Sequence, residues 1–519
     1  MWVRWVDEDI YLDPPEFLIA TQDKLAIAPW VAQQVRHLFT ESMTLVIQDE
    51  LHMLDDELGS LEGAYQPYLD QRTGPVKVIA SSATTKNTSR QVRLLYNRTR
   101  TLLIPAPELN DQDWYVSKPD DELVRTTVTG LMPSPRVSGL QARLLLLSAQ
   151  MQAAQQLFRM AEESRESPHR AGIERAVDAL WTNLVYFGSR PLLRETAVLL
   201  RRDITRQVNA FRFTFNLPGT GRAQWLRDHS LLEASSESES SVTEIIEALE
   251  RSLDFVPSDD ALSAARVCLA TSMIEVGIDV DRLGLMTFIG HPKETNSYIQ
   301  AGGRIGRQVD LPGLTYVLYR PFSLRDVSIY EDFLAYHQQR NDMVEPALLA
   351  PFAPGALRRT LPHLAVLRYA DTLDPETPLS QEGAEHLTEC LRAARQQLER
   401  RFKGQADLTW LASYTHTLES VALAALQQRG PTMPVAARAD LSSRSEPRGL
   451  LVPLERKQQL DEAGLPLYWF GPTSLRTVAG EVLAGITRPA FDTLSRAVTH
   501  SANQASEKAR PTLDEEEEA

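Results

Sequence analysis

The feature that most narrows what this chain can fold into is a set of short, largely apolar runs, each ending in small hydroxyl or acidic residues. Val267-Cys268-Leu269-Ala270-Thr271 is one; Thr44-Leu45-Val46-Ile47-Gln48-Asp49-Glu50 is a second. Pro75-Val76-Lys77-Val78-Ile79-Ala80-Ser81-Ser82-Ala83-Thr84 is a third. Runs of this length without polar alternation suit strands buried on both faces, the condition of a parallel sheet flanked by helices. Residues 125–132, 184–189, 284–290 and 314–319 read the same way, and residues 139–166 predict a long helix. The segment Phe17-Leu18-Ile19-Ala20-Thr21 predicts one more strand, with a helix after it to about His37. Strands alternating with helices from residue 16 to about 320 predict an α/β chain of βαβ units with parallel sheets. Beyond Pro321 the strand signal stops, and residues 326–500 show helical periodicity with proline-rich breaks near 346–362 and 431–453.

A chain of 519 residues with 43% apolar content predicts two or three soluble domains rather than one core. The opening Met1-Trp2-Val3-Arg4-Trp5 has no apolar signal core, and no run of 18 apolar residues occurs, so the expectation is a cytoplasmic protein with no membrane segment. Two cysteines in separate segments, Cys268 and Cys390, cannot make a zinc site and read as core residues. The net charge of −15 argues against coating nucleic acid by bulk electrostatics, although a basic groove would suffice for a motor. Charge is uneven: between Arg190 and Asp228 eight arginines face Glu195, Asp203 and Asp228, a local charge of +5. A solvated arginine face and a phosphate-contacting one both fit that count. The run Asp514-Glu515-Glu516-Glu517-Glu518 predicts a disordered acidic tail.

Chemistry concentrates at the ends of the predicted strands, where open α/β sheets bind ligands. Asp49 and Glu50 supply what hydrolysis of a nucleoside triphosphate needs: one carboxylate for Mg²⁺ and a neighbour to polarise the attacking water. The tract Gln300-Ala301-Gly302-Gly303-Arg304-Ile305-Gly306-Arg307 places two arginines three apart, on an expected helix, where both would point one way. Guanidinium groups suit the charge that spreads over a transferring phosphoryl group. Thr271 and Asp279 fit two roles equally, ligand contact or capping of the following turn.

Taken in order, these residues resemble the superfamily-two helicases and translocases, which are P-loop NTPases. Thr21 to Lys24 matches motif Ib, Asp49 to His52 motif II, Ser82 to Thr84 motif III, Val185 to Ser189 motif IV, Ala270 to Asp279 motif V and Gln300 to Arg307 motif VI. Each match is short; six in the right order and spacing are jointly specific. Within that superfamily, Gly290-His291-Pro292-Lys293-Glu294, the stretch from Ser323 to Phe333 and Pro351-Phe352-Ala353-Pro354 are similar to the helicase subunit of DISARM anti-phage systems. The resemblance implies an incomplete first RecA-like lobe at residues 1–107, a complete second lobe at 108–325, a helical accessory region at 326–500 and the tail at 501–519. It implies ATP and Mg²⁺ as cofactors, with Asp49 holding the metal and Glu50 activating water. His52, Ser82 and Thr84 would couple hydrolysis to movement. Gln300, Arg304, Arg307, Asp279 and Gly277 would meet the nucleotide, Arg307 as the finger. Thr21, Ser189 and Thr271 would meet nucleic-acid phosphates, DNA rather than RNA, and a second defence-system protein would be the partner.

Two departures stand out: Ala301 occupies a motif VI position that is commonly Arg, and Leu51 a motif II position usually held by a smaller residue. A larger one is that no lysine in the chain is followed by Ser or Thr, so the phosphate-cradling Gly-x-x-x-x-Gly-Lys-Ser/Thr loop is absent from the sequence, as is motif Ia. The expectation is therefore a truncated or split motor whose hydrolysis needs a further N-terminal piece. The competing expectation is a binding or scaffold subunit without ATPase activity.

Overall fold

The computed structural model describes residues 4–82, 86–104, 126–164, 166–217, 231–235, 241–255, 264–274, 279–308, 311–441, 447–462 and 468–475. The chain divides into two compact units, one within Met1–Leu102 and Pro346–Ala519, the other within Leu103–Glu345.

In the first unit, strands β1 (Leu45–Gln48) and β2 (Lys77–Ala80) pair in parallel, Leu45 opposite Lys77 and Ile47 opposite Ile79. Helix α1 (Asp56–Thr73) crosses between them, its first N–H accepted by the Asp55 carboxylate, and α2 (Thr88–Tyr96) follows β2. Val78, on one face of the pair, packs on a cluster of Leu51, Leu54, Leu94, Leu95 and Tyr96. Leu45, Ile47 and Ile79, on the other face, are 44%, 63% and 47% exposed. The strand expected at residues 17–21 does not form: Phe17, Leu18 and Ile19 lie exposed outside regular structure. An apolar run becomes a strand only when a neighbour supplies the other half of its ladder, and among the described residues none lies beside it.

The second unit is built on six parallel strands, β3 (Thr126–Leu131), β4 (Asn183–Phe187), β5 (Leu231–Ala234), β6 (Val267–Ala270), β7 (Leu285–Ile289) and β8 (Gly313–Leu318), in the order β3-β8-β7-β4-β6-β5. Helices α3 (Gly139–Glu163), α4 (Arg170–Trp181), α5 (Arg190–Thr214), α6 (Val242–Glu250) and α7 (Thr295–Gly302) lie on the crossovers, and α8 (Leu324–Glu331) and α9 (Phe333–Gln338) follow β8. Every residue of β4, β6 and β7 is buried. Alternate side chains serve opposite faces, as the pleat requires: Leu184, Cys268, Met286 and Phe288 enter one core, Val185, Phe187, Leu269 and Ile289 the other. Full burial of each such side chain contributes about 1.5–3 kcal/mol. Where β7 ends, Gly290 takes φ +77°, and a Cβ there would lie 2.6 Å from the Arg320 Nε. That guanidinium donates to both oxygens of the fully buried Asp326, at 3.0 Å each. Burial would raise this carboxyl; the bonds from Arg320 outweigh it and hold the group below the usual carboxylate range.

The chain then returns to the first unit through α10 (Pro354–Tyr369), α11 (Gln381–Arg401) and α12 (Thr409–Arg429), with a short parallel pair, β9 (Leu451–Pro453) and β10 (Trp469–Gly471). The sequence reading set residues 326–500 apart. In the structure α10 and α11 share one core with α1, where Trp30, Tyr65, Leu361, Leu364, Leu391 and Trp469 meet. At its centre His363 is fully buried, its Nδ1 2.5 Å from the Tyr65 hydroxyl and its ring edge-on to Trp30 at 4.9 Å. Burial pushes its pKa down to about 3. Both cysteines are buried core residues, as expected. No helix among the described residues is long and apolar enough to cross a membrane. The tail at 501–519 lies outside the described residues.

Candidate functional site

In the first unit the ends of β1 and β2 are tied together: the Ser81 N–H donates to the Gln48 carbonyl at 2.9 Å and the Leu51 N–H to the Ser81 carbonyl at 2.8 Å. This knot gathers the acidic motif. Asp49 Oδ1 accepts from the Glu50 N–H at 3.0 Å and from the Ser81 hydroxyl. Glu50 adopts a left-handed backbone (φ +51°, ψ +53°), uncommon for a residue other than glycine. Its carboxylate reaches His52 Nδ1 at 3.3 Å, and the same nitrogen lies 3.1 Å from the Ser82 hydroxyl. Sequence reasoning named Asp49, Glu50, His52 and Ser82 separately; the structure brings them into one contact chain across two strand ends. Thr84 lies outside the described residues. Leu51 is buried against Leu54, Leu94 and Leu95, a seat that suits its bulk. Thr21 is exposed, just ahead of a short helix at Asp23–Ile27.

The second unit carries two groups at opposite ends of its strands. Ser189 follows β4 and Thr271 follows β6, neighbouring strands, so both stand on the carboxyl rim. Ser189 is exposed and makes no side-chain cap; Thr271 is half-buried, its N–H bound to the Ala234 carbonyl at 3.2 Å.

The other group lies by the start of β7, where the Gly306 N–H bonds the Leu283 carbonyl at 2.9 Å. Here Arg307 forms an ion pair with Asp279. Gln300, buried on α7, donates to Asn296 Oδ1 at 3.0 Å. The expected helix under both arginines is corrected: α7 stops at Gly302, Arg304 lies in the following turn and Arg307 beyond it. Gly302 and Gly303 end the helix and Gly306, at φ +64°, redirects the chain. Ala301 is fully buried in the core beneath, a place without room for an arginine. Gly277 lies outside the described residues.

Beside the ion pair a cleft of about 370 Å³ is lined by Glu250, Ser252, Asp279, Asp281, Arg282 and Gln308. Sequence reasoning missed Arg282, which braces this rim: buried, it donates to the Leu249 carbonyl at 2.6 Å, to the Thr182 hydroxyl at 2.8 Å and to Asp178 at 3.3 Å. Its burial lowers its pKa, and Asp178 offsets part of that cost. No motif marks Arg282, since its partners are 33 to 104 positions away.

A family model describes the stretch that holds this rim: residues 251–309 match the helicase conserved C-terminal domain. The second unit carries a helicase C-terminal domain. The chain is also similar to the DISARM protein DrmA of Bacillus paralicheniformis (strain ATCC 9945a / NCIMB 11709 / CD-2), at 29% identity over 408 residues. That alignment takes in 70% of this chain and 34% of the relative, so the chain spans about a third of that relative's length. Among solved structures, the DUF1998 helicase MrfA bound to DNA and AMPPNP is similar over 70% of this chain and 42% of its own, at 17% identity and TM-score 0.43. The Mycobacterium smegmatis helicase Lhr bound to ssDNA and AMP-PNP is similar over 80% of this chain and 42% of its own, at 16% identity and TM-score 0.45.

Proposed function

We propose that this chain is the C-terminal part of an ATP-dependent DNA helicase or translocase of a bacterial anti-phage defence system, acting with a second defence protein. The observation that carries the reading is the contact chain Asp49, Glu50, His52 and Ser82 at two joined strand ends, in a chain that also holds a helicase C-terminal domain. ATP with Mg²⁺ would supply the phosphoryl group whose transfer to water drives such a motor. Asp49 suits the metal, because Mg²⁺ takes one or two carboxylates and completes its shell with water and phosphate, and this carboxylate is exposed and pre-oriented by Ser81 and the Glu50 N–H. Glu50 accepts the proton of the attacking water, steadied by His52, while His52, Ser82 and Thr84 pass strain between β1 and β2. Within the second unit, Gln300, Arg304 and Arg307, together with Asp279 and Gly277, are the candidates for contacting the triphosphate. Thr21, Ser189 and Thr271 hold backbone phosphates of the strand.

The sequence has no Gly-Lys-Ser/Thr, so on this reading the loop that cradles the phosphates is supplied from outside these 519 residues. DNA-stimulated ATP hydrolysis is the test, measured on the chain alone and on the chain mixed with an N-terminal fragment bearing a phosphate loop. Hydrolysis is expected in the mixture only, and Glu50→Gln is expected to lower it on the order of a hundredfold or more. Hydrolysis in neither sample removes the motor reading. Retained DNA binding would then favour a nucleic-acid-binding subunit without ATPase activity, the reading that the missing lysine supports. A Glu50→Gln mixture as active as the parent removes the role given to Glu50.

A further inference from the structure

The helix after β4 is longer than the sheet it covers. At 25 residues α5 runs about 37 Å, whereas the five residues of β4 run about 17 Å. Its buried positions start at Leu193 and end at Val208; the two turns beyond add none. Yet those turns are aromatic. Phe213 is 88% exposed and Phe215 63%, and the Phe211 and Phe215 rings stack with centroids 5.9 Å apart and planes 21° from parallel. Arg212 sits among them.

The same helix is basic in an acidic protein. Six arginines (190, 194, 201, 202, 206 and 212) face only Glu195 and Asp203 on α5, a charge of +4 in a chain of −15. Arg202 and Arg206, both largely exposed, share the single Asp203 carboxylate at 2.6 and 3.3 Å, and Arg201 pairs with Glu233 at 2.9 Å. Arg202, Arg206 and Phe213 follow one another at four and then seven positions, which sets them along one exposed helical face. The aliphatic face of α5 is already spent on the sheet: Leu193, Leu200, Ile204 and Val208 all belong to that core. What remains outside is a row of guanidinium groups leading to the fully presented Phe213, while the stacked Phe211 and Phe215 continue the Ile204 and Val208 side of the helix past the end of the sheet. Phosphates suit the first and the flat faces of unpaired bases suit the second.

We propose that the outer face of α5 from Arg201 to Phe213, with the exposed Phe215 ring round the helix end, is a binding surface for single-stranded nucleic acid, Arg202 and Arg206 holding phosphates while Phe213 and, past the end of the helix, Phe215 stack on bases. The proposal rests on the reading that this chain binds nucleic acid and adds a contact that none of the helicase-like motifs supplies. The test is fluorescence anisotropy of a labelled thirty-nucleotide oligo-dT with the full chain over a salt series. The variants are Phe213→Ala with Phe215→Ala, Arg202→Gln with Arg206→Gln, and Val198→Ala, exposed on the same helix, as control. All substituted side chains are exposed, and unchanged circular dichroism melts establish that the variants fold. The phenylalanine pair is expected to raise Kd on the order of tenfold with the salt slope intact. The arginine pair is expected to raise Kd and flatten the slope by about 1 to 2. The control is expected to match the parent. If the parent binds and both paired variants bind with the same Kd and slope, the α5 surface is overturned while the nucleic-acid reading stands. If the parent itself does not bind, both fall.

Discussion

In β7 of the six-stranded sheet, Leu285-Met286-Thr287-Phe288-Ile289 is buried at every position; in β1, the equally apolar Leu45-Val46-Ile47 leaves two of its three side chains in solvent. Both strands are parallel. The difference lies in their neighbours. β7 pairs on both edges, with β4 and β8, and its two faces enter two cores, whereas among the described residues β1 pairs only with β2 and is covered on one face. Apolar sequence therefore states what a strand can bury, and its neighbours decide whether it does. Parallel sheets are ordinarily covered on both faces, and this side of β1 and β2 is left open by the described residues.

The contrast can be broken by mutation. Phe288→Ala, in the covered sheet, is expected to cost about 3–5 kcal/mol by denaturant unfolding, because it leaves a cavity that flanking strands cannot close. Acid comes next in size. His363 in the helical core and His291 beside β7 are held neutral by burial, their pKa values pushed down to about 3 and about 4. The unfolded chain protonates both near its ordinary value, so the stability they protect is complete above about pH 6.5 and falls as pH drops toward those values. The expected slope is about 1.4 kcal/mol per pH unit for each histidine. Thermal melts between pH 7 and 5 check this, and His363→Gln should flatten the slope of the helical unit while leaving that of the sheet unit. Smallest is Ile47→Thr with Ile79→Thr, expected within about 0.5 kcal/mol of the parent because the side chains already meet water. A loss comparable to that of Phe288→Ala would mean that something covers this face in solution.

How much of this was legible in the sequence follows the same division. β4, β6 and β7 were readable because burial on both faces writes a nearly unbroken apolar run, and β8 carries the same residue types although Leu314 and Tyr316 are only half-buried. β5 was not: among the described residues it pairs only with β6, and Glu233 interrupts its pattern, pairing with Arg201. The strand expected at Phe17 carries the right residues and lacks a neighbour, which no local pattern reports. Helical periodicity marked the faces of α10 and α11 as apolar but could not say that α1, whose Tyr65 lies 298 positions before His363, would fill them. At the site, residue types pointed to Asp49, Glu50, His52 and Ser82, yet the left-handed backbone of Glu50, which turns the acid toward His52, has no glycine to announce it. The ion pair of Arg307 with Asp279 was likewise beyond reach, since it depends on where the glycines release the chain after α7.

The close approach of Arg320 to Gly290 sets a limit on drift. Any side chain at position 290 must push aside the guanidinium that neutralises a carboxylate with no exposed surface, so a first substitution there leaves Asp326 its bonds from the Arg320 N–H and the Ser323 hydroxyl but not its cation, and no second change at Asp326 alone restores the lost backbone angle. A saturation library at this codon should return glycine alone, even where surrounding positions vary freely, which makes one small residue a better marker of this sheet across distant sequences than any of its arginines.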